Sequence, residues 1–112
     1  MWLFLTAGFV SVVQHRDDSS KVLVRSRVRA DLQGILERYV DRKGDVVSNQ
    51  GTDYPFRAVI SKDELREMLG RSVADVDYGN FKIAAGDGDI REEIYHRVWN
   101  ELRGLEEIGG TG

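Results

Sequence analysis

The sequence predicts an α+β fold: a two-layer sandwich with a mostly antiparallel sheet and helices packed on one face, in the order ββ-α-β-α-α. Three observations predict it. Residues 9–15 and 21–28 are rich in β-branched side chains and alternate with the two-residue period of a half-buried strand. A polar linker, Arg16-Asp-Asp-Ser-Ser20, joins the two runs, a length that suits a hairpin. Apolar residues then recur at helical spacing in three later segments, with one further strand pattern between them.

The elements follow in order. Residues 1–13 are apolar, yet they lack a basic leader region and are too short to span a bilayer. Gly8 and the β-branched residues favour strand there, and a cytoplasmic protein that makes no membrane contact is expected. Residues 2–5 form a short strand turning at Ala7-Gly8, or the start of one long bent strand. In residues 21–28, Val22, Val24 and Val28 should share the core face with Ser26, because side chains two apart point the same way. Leu32, Ile35, Leu36, Tyr39 and Val40 predict a helix over residues 30–40; Asp31 suits its first turn and Asp41-Arg-Lys-Gly44 closes it. Val46-Val47 is an edge-strand candidate, residues 49–54 a loop, and Pro55 opens a strand through Ile60.

Ser61-Lys-Asp-Glu64 is a capping box, and the helix it starts carries Leu65, Met68, Leu69, Val73 and Val76 as its apolar stripe. Residues 78–83 read as irregular or as a short extra turn. After the break at Ala84-Ala-Gly-Asp-Gly88, Asp89 and Glu92 repeat the capping pattern. The final helix should run to about Leu105 with Ile94, Val98, Leu102 and Leu105 buried. Residues 1–108 are expected to form a single domain, with 109–112 a disordered tail.

Composition narrows the function classes. The 112 residues carry a net charge of −3, which argues against coating of bulk nucleic acid, so any anion site must be a local patch. There are no cysteines, which removes disulfides, thiolate metal sites and cysteine nucleophiles. Twelve arginines stand against four lysines, a bias that phosphate chemistry or base composition of the genome would each produce.

The candidate site starts from Arg25, Arg27 and Arg29, at every second position of one predicted strand. They would stand in a row at steps of about 7 Å, with Leu23 on the same face, opposite the valines. Guanidinium forks suit phosphate or carboxylate, and the alternatives are a solvated face with cross-strand ion pairs or an interface between copies. Two loop segments, Asp53-Tyr-Pro-Phe-Arg57 and Asp75-Val-Asp-Tyr-Gly-Asn-Phe-Lys82, place aromatics beside acidic and basic residues. Tyr54 and Tyr78 there could stack on a base, Asn80 read its edge, and Arg57 hold its phosphate. Phe56 and Phe81 suit the core. On the last helix Trp99 sits on the flank as an interface aromatic, and His96 points to solvent.

Catalytic templates are missing. His15 and His96 stand apart, with none of the short spacings of metal sites. No nucleophile elbow, phosphate-binding loop or dinucleotide fingerprint occurs. Asp75 with Asp77, or Asp87 with Asp89, are weak Mg²⁺ pairs of a spacing common in loops. No catalytic residue, metal or cofactor is assigned.

Trp2-Leu-Phe4, Gly8-Phe-Val-Ser-Val-Val-Gln14, Val24-Arg-Ser-Arg-Val-Arg-Ala-Asp-Leu32, Thr52-Asp-Tyr-Pro-Phe-Arg57, Asp77-Tyr-Gly-Asn-Phe81 and Tyr95-His-Arg-Val-Trp99 resemble a group of small bacterial proteins with no settled activity. The resemblance spans nearly the whole chain, transfers no catalytic residue and implies a free-standing small protein. In size and economy the chain also resembles phage counter-defence proteins, including those that sequester nucleotide signals. Three readings follow. The first is a non-enzymatic, homo-oligomeric binding module for a phosphorylated ligand such as a nucleotide, held by Arg25, Arg27, Arg29 and Arg57 with Tyr54, Tyr78 or Trp99 on the base. The second is an interaction or inhibitor module that meets an acidic protein through the same arginines. The third is a small hydrolase or nuclease using His15 or His96.

Overall fold

Alternation in the first half of the chain becomes strands. The computed structural model describes residues 1–41, 45–86 and 88–109. Strands β1 (Trp2–Leu5), β2 (Gly8–Gln14), β3 (Lys21–Ser26), β4 (Val47–Ser48) and β5 (Phe56–Ser61) form one antiparallel sheet in the order β1-β2-β3-β5-β4. Helix α1 (Arg29–Ile35) runs into a π turn (Leu36–Val40), and α2 (Lys62–Ser72) into a 3₁₀ turn (Val73–Asp75). Helices α3 (Phe81–Ala85) and α4 (Asp89–Leu102) follow, the latter extended by a 3₁₀ turn (Arg103–Glu107). The architecture is the α+β sandwich that the sequence predicts. The chain divides into two compact units, Met1–Asp77 and Tyr78–Gly112.

In the first unit, Val10 and Val12 of β2, Val22 and Val24 of β3, and Ala58 and Ile60 of β5 share one face of the sheet. Leu32 and Ile35 of α1, Leu36 and Tyr39 of the π turn, and Met68 of α2 close over them. Burying each of the valine, leucine, isoleucine and methionine side chains stabilises the fold by about 1.5–3 kcal/mol before entropy is counted. The Ser61 capping box is complete: Glu64 N–H donates to Ser61 Oγ at 3.0 Å and Ser61 N–H donates to Glu64 Oε1 at 2.9 Å. The Arg38 guanidinium grips Asp75 through Nε and Nη2 at 2.8 and 2.7 Å, and the Tyr39 hydroxyl donates to the same carboxylate. That clamp ties the π turn to the 3₁₀ turn after α2.

Several expected assignments shift. β3 ends at Ser26 rather than at Val28, because the buried Ser26 Oγ donates to Val28 O at 2.6 Å and bends the chain. Val28 is therefore exposed and outside the core. α2 stops at Ser72, whose Oγ donates back to Leu69 O, so Val73 and Val76 leave the apolar stripe and lie exposed. Met68 is buried, with Leu65 and Leu69 half-buried beside it. The short segment after residue 78 is a true helix, α3, because Asn80 Oδ1 accepts from Ile83 N–H at its start. At the start of α4, Gly88 is the cap and Asp89 the first helical residue.

The second unit corrects one expectation about burial. Tyr95 is the buried residue of α4, stacked on Phe81 at 5.9 Å, with Val98 half-buried. Ile94, Leu102 and Leu105, expected in a core, are exposed. A large ring covered by another ring removes more apolar area than any one aliphatic side chain, so it sets the helix's rotation. Residues 42–44, read as the helix closure, and 110–112, most of the predicted tail, lie outside the described residues. Among the described residues, no helix is long and apolar enough to cross a membrane.

Gly8 begins β2 at a φ of 151°, where L side chains are strained. A Cβ there would lie 2.6 Å from Cβ and Cγ of Asp31, whose carboxylate accepts from Phe9 N–H at 3.1 Å. Strand and helix approach this closely only because the position has no side chain. Gly8→Ala should therefore destabilise the protein by about 2–4 kcal/mol, read as a lower urea midpoint with an unchanged slope.

Candidate functional site

The face of the sheet opposite the helices carries a row that crosses the strands. Cα partners run Trp2 to Ser11, Ser11 to Arg25, Arg25 to Arg57 and Arg57 to Val47, from β1 through to β4. At about 4.8 Å per strand, the arginines of β3 and β5 are neighbours and Trp2 stands about 10 Å from Arg25. Beside this row on one side are Val13, Leu23 and Val59, paired in register. On the other are Phe4 and Phe9, stacked at 4.5 Å, with Trp2 edge-on to Phe9 at 5.9 Å.

Arg25 is held from several directions. Its Nη2 donates to the buried Ser11 Oγ at 2.8 Å, and its guanidinium carbon lies 4.6 Å from the centroid of the Tyr54 ring. Its Nε is buried and has no acceptor among the described residues. Arg27 lies over the same ring at 4.8 Å. Arg57 Nε donates to the Tyr54 carbonyl at 3.1 Å, which also accepts from Thr52 Oγ1 at 3.0 Å. Asn49 N–H to Pro55 O, at 2.7 Å, closes the loop that delivers Tyr54.

Three guanidiniums thus gather around one tyrosine, and none of them forms an ion pair with a described residue. Arginines elsewhere do pair: Arg38 with Asp75, Arg66 with Asp63, Arg71 with Glu67 and Arg97 with Glu93. The ring faces stabilise the cations without neutralising them. On a chain of net charge −3, this is a local positive patch.

The expected row of three arginines along β3 does not form. Only Arg25 lies in the strand; Arg27 follows the bend at Ser26, and Arg29 is the first residue of α1. Arg29 sits over the Phe56 ring at 5.0 Å, and Phe56 packs against the helix-covered core. Arg29 is therefore separated from Arg25 by the sheet's alternation. Tyr54, expected as a base-stacking loop aromatic, is 5% exposed with its ring covered by arginines. It organises the cations rather than offering a face. Leu23 is half-buried on the open face, as expected of a residue beside Arg25.

The remaining candidates belong to the second unit. Tyr78 tilts against Phe81 at 5.5 Å, and Asn80 caps α3. Trp99 is half-exposed, stacked with His96 at 5.4 Å, with Lys82 over its ring at 4.8 Å. In the first unit, His15 Nδ1 accepts from Asp17 N–H and Asp18 N–H, both at 3.1 Å, and so holds the hairpin loop. Among the described residues, no cluster of His, Asp or Glu is arranged to hold a metal ion. Asp75 is engaged by Arg38 and Tyr39, and Asp87 lies outside the described residues. Trp2, Phe4, Phe9 and Ser11 join the site unannounced, although Trp2 and Phe4 already alternate in the sequence.

No family model, no curated protein and no solved structure matches the chain. The site is therefore read from its own chemistry.

The Arg38–Asp75 clamp carries a pH signature. Hydrogen bonds from Arg38 and then Tyr39 hold the Asp75 carboxyl at about 2, below its usual 3.8. A carboxyl lowered by folding contributes stability that is whole above about pH 4 and is lost as pH falls toward 2. Asp75→Asn should remove that part of the acid-denaturation profile and leave its neutral-pH shape unchanged, as followed by circular dichroism between those limits.

Proposed function

We propose that the open sheet face is a non-enzymatic binding site for a phosphorylated small ligand, with a nucleotide as the class that fits best. The observation that carries this reading is the cluster of Arg25, Arg27 and Arg57 around Tyr54 without a carboxylate partner among the described residues. A phosphate accepts from several guanidinium forks at once, and partly desolvated charge-assisted bonds are stronger than those in open water. Trp2, exposed and two strands away in the same row, supplies a π face at a distance that suits the base of a nucleotide whose phosphate lies at Arg25. Arg25 and Tyr54 are pre-positioned by packing, so little side-chain entropy is lost on binding. The reading has the protein sequester or sense its ligand in the cytoplasm.

A second reading has support from the row Val13, Leu23 and Val59. These aliphatic residues share the face with the arginines, and Val13 and Val59 are more than a third exposed. An acidic protein partner would cover both rows, whereas a nucleotide needs only the arginines and Trp2.

Calorimetric titration with mono-, di- and cyclic nucleotides, and with inorganic phosphate, separates these readings. Wild type should bind at least one nucleotide. Arg27→Glu, at an exposed position, should weaken it at least tenfold, about 1.4 kcal/mol. Trp2→Ala should weaken the nucleotide but leave phosphate binding unchanged. A protein that binds none of the panel, yet captures an acidic polypeptide and loses it in Val59→Glu, would replace the nucleotide reading with the second.

A further inference from the structure

The second unit carries an apolar surface that its own elements leave uncovered. At about 100° per residue, Ile90, Ile94, Val98 and Leu102 drift slowly around α4 at intervals of four. The chain then tightens into the 3₁₀ turn Arg103–Glu107, where residues three apart eclipse. Leu105 therefore follows Leu102 in line, and Ile108 follows Leu105. The result is one stripe along the whole element. Ile90, Ile94, Leu102, Leu105 and Ile108 are 76, 45, 53, 57 and 81% exposed. Among the described residues of α4, Tyr95 is buried against Phe81 of the five-residue α3, and Val98 is half-buried between Ile94 and Leu102.

We propose that this stripe is a self-association surface, on which α4 of a second copy lies antiparallel. The five residues leave on the order of 600 Å² in solvent, at the top of the range for the largest patch on a monomer. A standard interface buries roughly 800 Å² per partner, so the stripe alone supplies most of what a stable dimer needs. A two-fold axis makes the same patch serve both copies, with no other partner required.

Charge selects the orientation. With the axis at Val98, Ile94 of one copy faces Leu102 of the other. A parallel pairing would instead set every charge on the helix level with its own copy. Like charges opposite each other disfavour that register. The two helix dipoles also oppose in the antiparallel arrangement. The self-association face lies on a different unit from the arginine cluster and does not depend on the nucleotide reading.

Sedimentation equilibrium over a concentration series tests it. The wild-type chain should be dimeric at high concentration, and Ile94→Glu and Leu102→Glu should each be monomeric with unchanged far-UV circular dichroism. Arg27→Glu, on the sheet face, should remain dimeric. A wild-type chain that stays monomeric throughout, or a dimer that survives both Ile94→Glu and Leu102→Glu, would overturn the proposal.

Discussion

Strand β3 is paired on both sides, with β2 along one edge and β5 along the other. A strand in that position cannot slip by one residue without turning its valines to solvent and its arginine into the core. Val22 and Val24 therefore lock the register, and Arg25 has to stand on the opposite face. From that constraint follow the covered core, the open face, and the cross-strand row in which Arg25 meets Ser11 and Arg57. The bend at Ser26 matters equally. It ends the alternation, so Arg27 reaches the Tyr54 ring from outside the ladder while Arg29 begins the helix and sits over Phe56.

The arginines on this face behave differently from those elsewhere in the chain. Arg66, Arg71 and Arg97 pair with carboxylates three or four residues away on their own helices, arrangements that solvent screens. Arg25 instead spends one donor on a serine and lies over an aromatic ring, which fixes its orientation and leaves its charge in place. Tyr54 achieves this because its loop is pinned through Thr52, Asn49 and Pro55 and because Arg57 bonds its carbonyl. Fixed positive charge in partly desolvated surroundings is the physical basis on which an anion ligand is proposed. The same geometry explains why Tyr54 itself is not a stacking surface.

The second unit follows another logic. It is helical, and its burial centres on the Phe81–Tyr95 stack, which leaves Ile90, Ile94 and Leu102 of α4 in solvent. Trp99, with His96 and Lys82 against it, stands at the edge of that aliphatic stripe. Its exposure is thus in keeping with the rim of an interface as well as with an ordinary surface aromatic.

Local pattern was enough for much of the fold. Two-residue alternation marked β2, β3 and β5, Ser61 with Glu64 marked the start of α2, and β4 was legible at Val47 despite its two residues. These features depend on neighbours in the chain, so the sequence by itself determined them. The arginine-rich segment was legible as well, but its geometry was not. Whether Arg27 and Arg29 continue a strand depends on one hydrogen bond from Ser26, and whether Tyr54 is free depends on how a loop closes over the sheet. The partners of Arg25, namely Ser11, Tyr54 and Arg57, lie 14, 29 and 32 residues away in sequence, and strand register together with the closure of the Tyr54 loop brings them together. The rotation of α4 was decided the same way, by an aromatic contact with α3. Tertiary structure settled these points because each rests on a contact between segments that no local periodicity encodes.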